Sequence, residues 1–166
     1  NKNDSNPTIY QLNVYLRDLK PRFWRRLQVR GDISLRTLHK ILQISFDWEN
    51  RHLIAFEKDD SSFGQSEYNT WEAEYSIDDF TLQGLLPNKG DKIIYEYDFG
   101  DGWEHVILVE QISGRDWKED GYGRVIDDSR YRPPEDVGGT YGFKEFMEVW
   151  QDPDHLDHDY YRRWVG

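Results

Sequence analysis

The chain contains no cysteine, which removes disulfide staples, thiolate metal ligands and cysteine nucleophiles at once. That absence fits a reducing, intracellular setting. No apolar run approaches the ~20 residues that a membrane-spanning helix requires, and no signal peptide is in view. The sequence begins at Asn1 rather than Met, so a trimmed start would hide such a segment. No nucleophile stands in an established catalytic motif, no internal repeat recurs, and no linker composition divides the 166 residues, a length suited to one domain. Cationic charge is scarce: 21 Lys and Arg against 32 Asp and Glu leave a net −11, which opposes attraction of the whole surface to nucleic acid.

What the chain has in excess is aromatic rings, 16% of its residues, with seven Trp and eleven Tyr. Such side chains carry much of a core's burial, and each Trp or Tyr tip needs a polar partner. The charge is also unevenly placed. Between Arg17 and Lys40, eight cations (Arg17, Lys20, Arg22, Arg25, Arg26, Arg30, Arg36, Lys40) face two acids (Asp18, Asp32), so the segment is +6 and the remainder −17. The basic segment 17–40 is therefore the expected contact for nucleic acid or for an acidic protein partner.

Residues 1–8 read as a disordered leader, and 9–166 as a single α+β domain. From Ile9 to Leu19 alternation places Leu12, Val14 and Leu16 on one face of a strand; Phe23 to Val29 alternates likewise. Ser34 is placed to cap a helix carrying Leu35, Leu38, Ile41 and Leu42 at three-four spacing. A hairpin followed at once by a helix predicts a β-grasp-like roll with a mixed or antiparallel sheet. His52–Glu57 reads as the next strand, 58–76 as a long polar excursion, and 77–86 as a short helix. A hairpin from Gly90 to about Ile112 and a loop-like 113–132 follow. Two C-terminal helices close the chain, one capped by Thr140 and one starting near Asp154.

The run Tyr95-Glu96-Tyr97-Asp98-Phe99-Gly100-Asp101-Gly102-Trp103-Glu104-His105 is the densest in titratable and aromatic groups. An Asp-Gly pair between alternating strands favours a two-residue turn, which sets Asp98 opposite His105. A three-residue Gly-Asp-Gly loop sets Asp98 opposite Glu104 instead. The first register gives a carboxylate–imidazole pair, a general base or a plain cross-strand ion pair. The second gives two facing carboxylates that need a cation. The first leaves the cleaner apolar face. Asp98, His105 and Glu104 are thus the catalytic candidates, with Asp101 and Trp103 beside them.

Three other clusters carry chemistry. Arg132-Pro133-Pro134-Glu135-Asp136-Val137-Gly138-Gly139 frames two acids between rigid prolines and permissive glycines. Glu135 and Asp136 there suit a divalent cation, or the Arg25-Arg26 pair, or an ordered loop that caps the sheet. His155 and His158 stand three apart, a spacing for metal ligands on a helix, although acids around them also suit a helix start. Lys20-Pro21-Arg22-Phe23-Trp24-Arg25-Arg26 interleaves cations with aromatics as phosphate contact plus base stacking would use them. Arg22, Trp24, Arg25 and Arg26 are its binding candidates, and Arg25, on the Phe23/Leu27 side, needs a buried acid.

Taken together, Ile9-Tyr10-Gln11-Leu12, Pro21-Arg22-Phe23-Trp24-Arg25-Arg26, Leu38-His39, Tyr97 to His105 and Pro133 to Gly139 resemble the plasmid pRiA4b ORF-three-like proteins. The resemblance runs from about Ile9 to Gly166 and includes Asp152-Pro153-Asp154-His155 and Trp164-Val165-Gly166. It implies an α+β domain of cytoplasmic, bacterial or archaeal origin, with links to plasmids and mobile elements, and no secure activity. Relatives often carry a cysteine where this chain has Arg132, so no thiol role passes over. Relatives also commonly continue beyond this chain's end.

The expectation is an accessory or interaction module, without a cofactor, that contacts its partner through the basic hairpin. The alternative is a metal-dependent or acid/base hydrolase-like enzyme that uses the acidic hairpin and the Pro-Pro-Glu-Asp loop. A shared site requires those two motifs to lie within a side chain's reach.

Overall fold

The computed structural model describes residues 8–66, 73–114, 121–129 and 133–165. Alternation builds its first two strands. β1 (Thr8–Leu16) turns Tyr10, Leu12, Val14 and Leu16 to one buried face, and antiparallel β2 (Trp24–Arg30) adds Arg25, Leu27 and Val29 beside them. α1 (Leu35–Ser45) then begins at Ser34, whose Oγ accepts from the Thr37 N–H at 3.1 Å. It buries Leu35, Leu38 and Leu42 against that face.

The remaining elements are β3 (Ile54–Lys58), β4 (Ser61–Gly64), β5 (Tyr75–Ser76), α2 (Leu82–Leu85), β6 (Lys92–Tyr97), β7 (Trp103–Gly114), β8 (Gly123–Asp128), α3 (Gly139–Gln151) and α4 (His158–Val165). Among the described residues eight strands form one sheet in the order β5-β4-β3-β6-β7-β1-β2-β8. β4 and β5 run parallel, the other neighbours antiparallel, so the sheet is mixed. Between Gln11 and Leu12 the β1–β7 register shifts past Glu110. The bulged Glu110 carboxylate takes Gln11 at 2.7 Å and Arg26 at 3.0 Å. α3 packs on the β1–β2 connection by an edge-on contact of Phe143 with Phe23. α4 lays Tyr161 and Trp164 on Phe146 of α3 and buries none of its own residues.

This architecture corrects the small β-grasp-like roll with two C-terminal helices. The opening hairpin and helix form as read, but the long β7 inserts between β6 and β1, and strands extend the sheet at both ends. Much of the polar excursion is the β3–β4 hairpin and β5, and β8 lies in the stretch read as loop-like. These outer strands are short and polar, so they lack the buried alternation that marks β1. Helix starts shift as well. α3 begins after Gly138 with no side-chain cap, and α4 begins at His158. The leader, apart from Thr8 in β1, lies outside the described residues. Among the described residues no helix is long and apolar enough to cross a membrane.

Candidate functional site

The β6–β7 hairpin adopts neither of the two expected registers. Tyr95 pairs with His105, Glu96 with Glu104 and Tyr97 with Trp103, so Asp98 to Gly102 form the connection. A two-residue turn would have sent Trp103 and His105 to the face opposite Tyr95 and Tyr97. Instead all four are buried together, and aromatic burial outweighs the turn preference of Asp-Gly. Asp98 starts the loop at φ 61°, in the left-handed region, and its Oδ1 accepts from the Gly100 and Asp101 N–H groups at 3.1 and 3.2 Å.

His105 is therefore no partner of Asp98. It is fully buried, and its Nε2 accepts from Trp48 Nε1 at 3.0 Å while Nδ1 donates toward the Tyr95 and Trp103 carbonyls. Burial pushes its pKa down to about 4, leaving a neutral core imidazole. Glu104 faces Glu96 on the other side of the sheet and pairs with Arg17 at 2.9 Å. Burial, with Glu104 next in effect, holds the Glu96 carboxyl above the usual carboxylate range.

The residue that sequence reading missed is His52. Left-handed Asp47 and Asn50 curl the chain after α1, while Gln43 Oε1 accepts the Asn50 N–H at 2.9 Å. The Asp98 N–H donates to the Leu53 carbonyl at 3.0 Å, which draws the segment before β3 against the hairpin turn. His52 Nε2 stands 3.5 Å from Asp98 Oδ2, 3.8 Å from Glu135 Oε1 and 2.7 Å from Asp136 Oδ1. A lone histidine read as the first residue of a strand gave no signal beyond the charged run Glu49-Asn50-Arg51-His52.

The Pro-Pro-Glu-Asp loop closes the cluster. Tyr97 donates its hydroxyl to Glu135 Oε1 at 2.6 Å, and Glu135 Oε2 accepts the Glu49 N–H at 3.1 Å. Burial first, and the Glu135 bond second, raise the Tyr97 pKa, so the phenol stays a donor. Arg51 bridges Glu49 and Asp136 at 2.5 and 3.4 Å. Asp101 Oδ2 accepts the Gly138 N–H at 3.1 Å, a carboxylate at the positive end of α3. The two motifs therefore touch. Asp98 and Glu135 are only 7% and 9% exposed, so two buried carboxylates and Asp136 share one imidazole. One ligand atom each from His52, Asp98 and Asp136 lies within 4.8 Å of the others.

Other candidates are placed apart from this cluster. Arg25 is buried, but it donates to the Ser45 and Trp24 carbonyls and lies over the Phe46 ring. Arg26 pairs with Glu110 and Asp127 rather than with Glu135 or Asp136. Trp24 is half-buried under the Arg26 guanidinium, and exposed Arg22 covers Tyr15. Trp103 is buried against Trp48, and its indole N–H has no hydrogen-bond partner among the described residues. His155 sits in a turn where its Nδ1 accepts the Asp157 N–H at 3.1 Å, and His158 lies beside the Trp150 ring. The two histidines thus do not share a helical face.

Known proteins resemble this chain over most of its length. The family model described as Plasmid pRiA4b ORF-3-like protein matches residues 8–166. An uncharacterised protein of Sinorhizobium fredii, y4hQ, is 34% identical over 160 residues, covering 96% of this chain and 81% of its own. The crystal structure of MM3350, a protein of unknown function from Methanosarcina mazei, superposes with a TM-score of 0.85 at 30% identity, covering 97% of this chain and 91% of that one.

Proposed function

The chain belongs to the plasmid pRiA4b ORF-3-like family, and we propose that it works through a divalent-cation centre of hydrolase-like chemistry at His52, Asp98, Glu135 and Asp136. The observation that carries this reading is the 4.8 Å grouping of ligand atoms from His52, Asp98 and Asp136, three segments far apart in sequence. Donors on one ion held ~2.1 Å away stand a few ångströms from one another, which this grouping allows. Carboxylates suit hard cations and imidazole borderline ones, so Mn²⁺ or Zn²⁺ matches the mixed set. Such an ion offsets the charge of the buried carboxylates.

An ion held by His52, Asp98 and Asp136 would supply a water acidified for attack. Glu135, oriented by the Tyr97 hydroxyl and the Glu49 N–H, is the carboxylate that would accept the proton of such a water. Substrate enters by a groove of about 550 Å³ lined by Arg51, Pro134, Glu135, Asp136 and Trp164. A module acting through the charges of the hairpin's arginines is less well supported by the geometry, because Arg17, Arg26, Arg30 and Arg36 are committed to carboxylates of the chain itself.

Calorimetry on chelator-treated protein with MnCl₂, ZnCl₂ and MgCl₂ tests the centre. Saturable heat with Mn²⁺ or Zn²⁺, abolished by Asp98→Asn and by Asp136→Asn, is expected. No heat with any of the three overturns it. Ion-dependent turnover of chromogenic ester or phosphodiester substrates, lost in Glu135→Gln with ion binding retained, tests the chemistry.

A further inference from the structure

The sheet face turned away from α1 carries a row of cross-strand neighbours. Ile94 pairs with Val106, Val106 with Tyr15, and Tyr15 with Trp24. One apolar and aromatic row thus crosses β6, β7, β1 and β2, about 14 Å at ~4.8 Å between strands. Tyr15, Ile94 and Val106 form the floor of a groove of about 790 Å³ whose walls include Lys20, Arg22, Lys92 and Lys144. That volume falls in the range of about 300–1,000 Å³ common to ligand sites.

The charge there is exceptional for this acidic chain. Arg17, Arg26, Arg30 and Arg36 each have a carboxylate partner within the protein. Lys20, Arg22, Lys92 and Lys144 have none among the described residues, and all four are exposed. They come from the β1–β2 connection, β6 and α3, so the sequence scatters what the fold gathers. Among the described residues that line the groove, Asp18 alone opposes them. Arg22 lies over the Tyr15 ring at 4.2 Å, and Arg26 over Trp24 at 5.5 Å. Each guanidinium thereby covers one face of its ring and presents its own plane outward.

We propose that this groove binds single-stranded nucleic acid, with bases stacked along the Tyr15–Trp24 row on the guanidinium planes of Arg22 and Arg26 that cover those rings, and phosphates on Lys20, Lys92 and Lys144. Stacking platforms beside a cationic track are the means by which unpaired strands are held without sequence reading. An acidic peptide would use the cations and leave the aromatic row without a flat partner. A duplex keeps its bases inside. The proposal is independent of the cation centre, which uses none of these residues.

Fluorescence anisotropy with a labelled oligothymidylate of about twelve nucleotides tests it, in KCl from about 50 to 200 mM. Three phosphate contacts predict a log–log salt slope of about −2 for a single strand. Lys92→Glu with Lys144→Glu, both at exposed positions, should weaken binding by about tenfold or more with an unchanged circular dichroism spectrum. Tyr15→Leu should weaken binding while leaving the salt slope in place. No binding at about 50 mM KCl overturns the proposal. So does equal competition by polyglutamate or by duplex, or an affinity indifferent to the two lysine substitutions.

Discussion

A β-carbon placed on Gly139 would run into the Asp101 carbonyl oxygen. Gly139 also holds φ at +68°, in the left-handed region where side chains are strained. The start of α3 therefore rests directly on the Gly-Asp-Gly turn, and this contact holds Glu135 and Asp136 beside Asp98. Gly139→Ala is expected to cost about 2 kcal/mol or more. Gly114→Ala, where a β-carbon meets open space, should stay within about 0.5 kcal/mol. Urea unfolding of the two variants checks both values.

Asp98 has two separable jobs, one for each oxygen. Oδ1 accepts two backbone N–H groups of the turn, and Oδ2 faces His52. Asparagine retains a carbonyl acceptor and tolerates left-handed backbone. Asp98→Asn should therefore lose less than about 1 kcal/mol of stability yet lose the calorimetric signal for the cation. Asp98→Ala should lose about 1–3 kcal/mol as well. A steep fall in melting temperature for Asp98→Asn would make these charges a folding lattice and nothing more.

His105 makes stability depend on pH in a defined direction. Its folded pKa is pushed down to about 4 by burial, whereas an unfolded imidazole titrates near 6.5. The unfolded state binds the proton first as pH falls. The stability from this group is thus whole above about pH 6.5 and drains away toward pH 4, by about 3 kcal/mol in total. Urea midpoints measured across that window should fall, and His105→Phe should remove this part of the slope.

Tyr97 supplies the hydroxyl that donates to Glu135 and accepts the Arg51 N–H at 3.1 Å. Tyr97→Phe leaves both without that partner, so a loss of about 1–3 kcal/mol is expected in chemical unfolding. In the proposed centre, the same change should slow ion-dependent turnover more than it weakens ion binding.

β1, β2 and α1 are legible in the sequence because each buries one face at its own period, and Ser34 announces the helix. β4, β5 and β8 are not, since short polar strands take their hydrogen bonds from neighbours that no local pattern names. The hairpin was visible and its register was not. Asp-Gly favours a tight turn, but Tyr97 and Trp103 both need the core, and only a longer loop lets them pair.

The site divides along the same line. Asp98, Asp101, Glu135 and Asp136 stand out by local chemistry, turn formers and acids framed by glycine and proline. His52 does not, because its role rests on left-handed residues that curl the preceding loop and on a bond to Asp136 across 84 positions. By itself the sequence determined which residues seek the core, where the chain turns, and the family to which it belongs. Only the tertiary structure decided that His52 meets the carboxylates while His105 is sealed away. Register and loop closure bring together groups whose separation along the chain carries no trace of their contact.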